Sequence, residues 1–198
     1  EEVTMTAQAA AKKSKFLTNN AWGYFAAAML AGIYVGIGIL LITTIGGVLG
    51  GAPATKIVMG AAFGVALSLV IFAGAELFTG NNLVMTVGLV RRTVTLRQTL
   101  WLWLVCFAGN WAGSILLALL FLAGGFGAGA VGEFIAAASA AKAALPFFPL
   151  LVRGILCNIL VCLAVWCGFR CKTESARLVM IFWCLFVFIT VGMEHSIA

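Results

Sequence analysis

A chain of 198 residues with 64% hydrophobic and only 9% charged side chains, and a mean hydropathy of +1.16, cannot be an ordinary soluble globule, since such domains are roughly a quarter charged. It reads as an integral membrane protein with a single transmembrane domain over 1–198, because five spans of about 20 residues each nearly exhaust it and leave no room for a soluble catalytic domain. The net charge of +6 comes from lysines and arginines scattered through short connections, not from a basic patch interleaved with aromatics, so no nucleic acid partner is expected.

Residues 1–18 form the first element, with Thr4 to Phe16 reading as an amphipathic helix. Met5, Ala9, Phe16, Lys12, Lys13 and Lys15 give it an apolar side and a basic end suited to an anionic lipid surface. The stretch Glu1 to Leu17 has no continuous apolar core, so it is not read as a signal peptide. The first span is expected from Trp22 to Val48, with Trp22 and Tyr24 at the interface and Gly46, Gly47, Gly50, Gly51 and Pro53 ending it.

A second apolar segment, Ile57 to Ala75, runs into Glu76 and the polar patch Leu77-Phe78-Thr79-Gly80-Asn81-Asn82 before Leu83 to Val90 turns apolar again. Irregular backbone at membrane depth is tolerated only where protein buries it or it lines a wet cavity, so this segment is expected to be a broken helix. Arg91, Arg92 and Arg97 precede a third span, Leu100 to Ala123; a small-residue loop, Gly124 to Leu145, carries Glu133 and Lys142. Pro146 and Pro149 lead into a fourth span, Leu150 to Phe169, and Arg170, Lys172 and Arg177 precede a fifth, Leu178 to Met193, which runs into Glu194 and His195.

The basic residues before the first and third spans and after the fourth fall on one side, against Lys56 and Lys142 on the other. That bias places the amino terminus in the cytoplasm and the protein in the inner (plasma) membrane. Cys157, Cys162, Cys167 and Cys171 match no zinc or redox spacing and read as small apolar residues. His195, the one histidine, and the acids Glu76 and Glu194 end apolar runs, and ionisable groups at that depth are functional candidates.

Two stretches echo each other. Ala31-Gly32-Ile33 matches Arg153-Gly154-Ile155, and Gly74-Ala75-Glu76 matches Gly192-Met193-Glu194, at similar separations. An odd number of spans separates the copies, so they run in opposite directions. Such an inverted repeat puts the ion or substrate site where the broken helices meet.

Glu76-Leu77-Phe78-Thr79-Gly80, Gly109-Asn110, Gly154-Ile155-Leu156-Cys157-Asn158 with Val161 to Trp166, and Glu194-His195-Ser196-Ile197-Ala198 together resemble the formate/nitrite transporter family, nearest its nitrite channel branch. The resemblance covers the chain from Trp22 onward. It implies an all-α, aquaporin-like inverted repeat with broken second and fifth helices, five of six spans being present here, assembled as a homopentamer with one pore per protomer. The implied cargo is a small monovalent anion, nitrite first and formate next, with proton-linked passage through a pore histidine; a hydrosulfide-type channel is the alternative within the family. No cofactor, metal or enzymatic activity is implied.

Carried over by position, His195 is the central pore histidine, and Leu77, Phe78 and Thr79 lie on the loop breaking the second helix. Phe63, Leu67 and Phe188 match apolar constriction positions; Lys142, Asn158 and Glu194 match polar positions near the histidine. The family continues past Ser-Ile-Ala with an asparagine, a further half-helix and a sixth span that have no counterpart in this sequence, which leaves a nonconducting fragment as a further reading.

The chemistry expected of such a pore follows from desolvation. A bare anion pays many kcal/mol to enter an apolar ring formed by Phe63, Leu67, Phe78 and Phe188, whereas its neutral acid passes more easily. Histidine, with an ordinary pKa of about 6.5, exchanges protons near neutrality. Lys142 would draw anions inward, Thr79 and Asn158 would replace lost water, and Glu194 would either fix the tautomer of His195 or favour its charged form. The blander readings are an interfacial histidine, packing phenylalanines and a solvated loop lysine. Arg153 reads as an interface marker, Gly109-Asn110 as a helix contact with a cross-helix hydrogen bond, and an acid-base or metal site from Glu76, Glu194 and His195 lacks ligand spacing.

Overall fold

The computed structural model of the chain describes residues 1–197, so Ala198, which closes the Glu194-to-Ala198 motif, lies outside the described residues. Its helices are α1 (Glu2–Asn19), α2 (Ala21–Leu49), α3 (Thr55–Ala62), α4 (Gly64–Leu69) continued by a π-helical turn (Val70–Gly74), α5 (Phe78–Val90), α6 (Leu96–Ala123), α7 (Gly129–Ala143), α8 (Phe147–Arg170) and α9 (Glu174–Val191). Five helical segments are long and apolar enough to cross a membrane: α2, Thr55–Gly74, α6, α8 and α9. The protein is an all-helical membrane protein.

Local chemistry sets the boundaries. Asn20 caps α2 by accepting from the Gly23 amide at 2.8 Å, and Gly50, in the left-handed region at φ 56°, ends it. Gly46 and Gly47, expected to end the span, lie inside α2; a side chain there would meet the Phe134 ring and the Val131 backbone, so these glycines let α7 approach. Thr95 and Gln98 form a capping box that starts α6 at Leu96, earlier than the hydrophobic pattern alone indicated. The expected loop Gly124 to Leu145 contains the helix α7. Its run of alanine and glycine has no strong apolar period, which is why the sequence pattern missed it.

The closest helix pair is α2 against α6, and it is reciprocal: a Cβ on Gly32 would strike the Asn110 carbonyl, and one on Gly113 would strike the Met29 carbonyl. Small residues allow this backbone approach where no hydrophobic exclusion drives helices together. It also brings Asn110, fully buried, beside the interruption of the second span. There Gly74 takes φ 80° and Ala75 is extended, freeing backbone groups that lipid cannot satisfy. Asn110 Nδ2 donates to the Glu76 carbonyl and to the Ala28 carbonyl at 2.8 Å each, and its Oδ1 accepts from the Phe78 amide at 2.9 Å. The Glu76 amide donates to the Ala27 carbonyl at 3.1 Å, and the Cys106 thiol to the Glu76 carbonyl at 3.2 Å.

With those groups satisfied, the interruption is confined to Ala75, Glu76 and Leu77. Phe78 opens α5 and Thr79, Gly80, Asn81 and Asn82 belong to its first turns, so of Leu77, Phe78 and Thr79 only Leu77 sits on the break. Helical backbone pairs internally, and the shortest possible break leaves the fewest groups for Asn110 to serve. The second interruption repeats the first: α9 ends at Gly192, again left-handed at φ 86°, and residues 193–197 are non-helical. The glycines picked out by the internal repeat thus share one conformation.

The amino-terminal helix is more than a surface strip. Thr6, Ala7, Ala10, Ser14 and Leu17 are buried against the rest of the protein, Thr93 donates to the Ala7 carbonyl at 2.9 Å, and Lys13 donates to both Glu76 oxygens at 2.6 and 2.7 Å. Tyr24 and Asn81 complete the Glu76 carboxylate at 3.2 and 2.9 Å. Lys12 and Lys15 remain exposed on the other side, so the basic face is available to lipid while the small-residue face packs inward.

Two stability outcomes follow. Gly32→Ala and Gly113→Ala each meet an opposing backbone atom that no rotamer can move aside, and each is expected to cost about 1–3 kcal/mol, read as a lower melting temperature in detergent; unchanged melting would show that the helices can separate freely. Lys13→Met leaves a mostly buried carboxylate short of its charged partner and is expected to cost about 2–3 kcal/mol. Adding Glu76→Gln to it is expected to recover part of that loss, and additive losses in the double variant would show that the two charges do not interact.

Candidate functional site

His195 is held by three contacts. The Ile197 amide donates to Nδ1 at 3.1 Å, Nε2 lies 3.2 Å from Thr79 Oγ1, and the ring stacks on Phe188 with centroids 6.0 Å apart. Because Nδ1 accepts, the neutral ring carries its hydrogen on Nε2 and donates to the threonine hydroxyl. Thr79 stands in the first turn of α5 just after the first break, and His195 follows the second. The hydrogen bond between them therefore joins the two halves of the inverted repeat at their matching interruptions.

Around this pair the walls are apolar and tight. Phe63, Leu67, Leu77 and Phe188 are all buried, and with Val35, Ala66, Val161, Leu185 and His195 they enclose a cavity of only about 10 Å³. That is at the lower limit for one water molecule. Phe63 meets Phe188 edge to face, 5.5 Å between centroids. Phe78, expected in the same ring, does not line this small cavity: its ring meets Phe107, 5.2 Å between centroids, and it borders the side cavity that Thr79 and His195 also line.

Wider spaces flank the neck. A cavity of about 830 Å³ shares Phe188 and His195 with it and is also lined by Lys142 and Glu194. Another, of about 630 Å³, shares Leu67 and Leu77 with the neck and is lined by Lys13, Glu76, Asn81 and Arg177. The sequence of spaces is wide and charged, narrow and apolar, then wide and charged. Asn158 borders a side cavity of about 350 Å³ together with Thr79 and His195, and its Oδ1 lies 3.5 Å from Asn82 Nδ2.

Glu194 does not set the histidine tautomer; the Ile197 amide occupies Nδ1. The carboxylate is turned to cations instead, Oε2 lying 3.2 Å from Lys142 Nζ and Oε1 4.0 Å from Arg153 Nη1. This reproduces the Lys13–Glu76 arrangement on the other side. In each half a short helix preceding a span, α1 or α7, sends a lysine to the acid that follows the left-handed glycine. The internal repeat therefore extends to the surface helices. Lys13, Asn110 and Arg153 are the residues that sequence reasoning did not place here: Lys13 could have been found as the counterpart of Lys142 had α7 been recognised as a helix, while the Arg153 contact has no sequence signal. Among the described residues no three His, Cys, Asp or Glu side chains gather as metal ligands.

The sequence model described as Formate/nitrite transporter matches residues 1–198. The nitrite transporter NirC of Salmonella typhimurium is 40% identical over 203 aligned positions, covering 100% of this chain and 73% of its own length. A solved structure described as an FNT family ion channel superimposes with a TM-score of 0.94 at 38% identity, over 99% of this chain and 78% of that one. A pentameric formate channel with formate bound superimposes with a TM-score of 0.80 at 30% identity, over 90% and 72%. A family match over the whole length, relatives 40% identical across it and a backbone shared with solved channels of that family lead to the same place: this chain belongs to the formate/nitrite transporter family.

Proposed function

We propose that residues 1–198 form one channel domain that carries small monovalent anions, nitrite foremost and formate next, across the inner (plasma) membrane, as a homopentamer with one pore in each protomer. The observation that carries this reading is the neck of about 10 Å³ between two wide cavities, each lined by a lysine. The nitrite transporter and the pentameric formate channel to which the chain is similar support the choice of anion and the assembly. The cavity holding Lys13 and Arg177 is assigned to the cytoplasm on the bias of basic residues toward that end, and the cavity holding Lys142 to the outer side.

In this reading each side chain has its own work. The cations left over after each lysine pairs with its acid, Arg177 in one wide cavity and Arg153 beside the other, raise the local concentration of anions. Thr79 and Asn158 offer neutral groups that replace part of a lost water shell. At the neck the neutral ring of His195 presents Nε2–H as a hydrogen bond donor. A second proton has to enter at Nδ1, which requires the Ile197 amide to move away first. Proton-linked passage would thus couple charging of the ring to a small shift of the segment after Gly192.

Stopped-flow uptake of nitrite, formate and hydrosulfide into proteoliposomes is the direct test, with nitrite and formate flux expected to rise as pH falls from about 8 to 5. An apolar replacement, His195→Phe, is expected to flatten that profile; an unchanged profile would remove the histidine from the mechanism. Absence of flux for every anion would favour the nonconducting reading. Phe188→Ala removes a ring from the neck and is expected to raise flux by about tenfold, equivalent to about 1.4 kcal/mol of barrier, with weaker discrimination among anions; flux at or below that of the unaltered protein would place the barrier elsewhere.

A further inference from the structure

We propose that Arg153 supplies the surplus positive charge of the outer vestibule and, through Glu194, positions its acid, so that it governs how well anions are captured before they reach His195. This rests on the anion-channel reading above. A carboxylate beside an anion pathway repels what the pathway is meant to collect, and the Lys142–Glu194 pair at 3.2 Å only cancels itself. Arg153 approaches the other carboxylate oxygen, Oε1, to 4.0 Å, giving a lysine–carboxylate–arginine row with one net positive charge.

Placement supports the same conclusion. Arg153 sits one residue before Gly154, near the start of α8, and an added Cβ on Gly154 would lie 3.9 Å from the Glu194 carbonyl, so this turn of α8 stands against the second break. The matching position in the first half is Ala31, which is fully buried. There the acid has only one charged partner, and neutral Tyr24 and Asn81 complete it. The second half has a guanidinium in their place. Arg153 stands at the edge of the outer vestibule, held to the lining residue Glu194 and next to the lining residue Gly154, while the remaining charges of the outer connections, Lys56 and Glu133, are opposite in sign and exposed. With side-chain exposures of 45% for Arg153 and 17% for Glu194, the cation is the more exposed member of the pair, and an exposed cation at the mouth of a cavity draws anions toward it.

The test measures initial nitrite uptake against nitrite concentration, at low and at physiological ionic strength, in the unaltered protein, Arg153→Gln and Arg153→Lys. Arg153→Gln is expected to raise the half-saturating concentration about three- to tenfold at low ionic strength, to weaken the dependence on salt, and to leave maximal flux within about twofold. Arg153→Lys is expected to behave like the unaltered protein. Unchanged half-saturation and salt dependence in Arg153→Gln overturn the inference, as does equal loss in both variants, which would mean that only the guanidinium shape matters. No anion flux in the unaltered protein overturns the channel reading itself, and this inference with it, so the two failures are distinguishable.

Discussion

The rest of the structure depends on how a transmembrane helix can be interrupted at a depth where lipid satisfies no backbone group. Asn110 makes this possible, serving the Glu76 and Ala28 carbonyls and the Phe78 amide with one buried side chain. It reaches that point only because Gly32 and Gly113 let α2 and α6 approach to backbone contact. Once the break is stabilised, α5 can begin at Phe78, and its first turn carries Thr79 to the centre of the protein. Helix packing, backbone satisfaction and the position of a pore hydroxyl are one problem here.

The two charged pairs follow from the same two-fold logic. An acid placed just after each left-handed glycine is costly at that depth unless paired, and in each half the partner is a lysine from a short helix outside the spans. The pairing anchors α1 and α7 over the wide cavities and keeps a cation within each. The halves differ in what completes the carboxylate, neutral groups around Glu76 and a second cation beside Glu194.

Much of this was legible in the residues. Span composition, the interruption after Ala75 and the matched Gly74 and Gly192 all register in the sequence, because hydropathy and turn chemistry are local. The family resemblance supplied His195, Thr79 and the apolar positions. What remained hidden depends on three-dimensional closeness. Phe78 could not be told from Leu77 by pattern, since which one opens a helix is decided by Asn110, thirty-two positions away. The helix α7 escaped because alanine and glycine give no apolar period. Lys13 looked like a membrane-surface charge because nothing in its neighbourhood announces Glu76.

In the proposed channel the neck is what favours small monovalent anions. Its cavity of about 10 Å³ cannot carry a hydrated ion, so a permeant must shed its water in an apolar ring. The cost of doing so grows with the square of the charge, which penalises divalent anions far more than the flanking lysines and single imidazole donor can offset. In that channel the surplus cations Arg177 and Arg153 repel cations before they reach the neck. The hydrogen bond from Ile197 to Nδ1 aims Nε2 at Thr79, and a neutral ring there would leave the neck of the proposed channel with no fixed charge to trap a monovalent anion. Capture is left to the wide cavities and discrimination to the neck, and this separation allows an ion to be attracted strongly and still released.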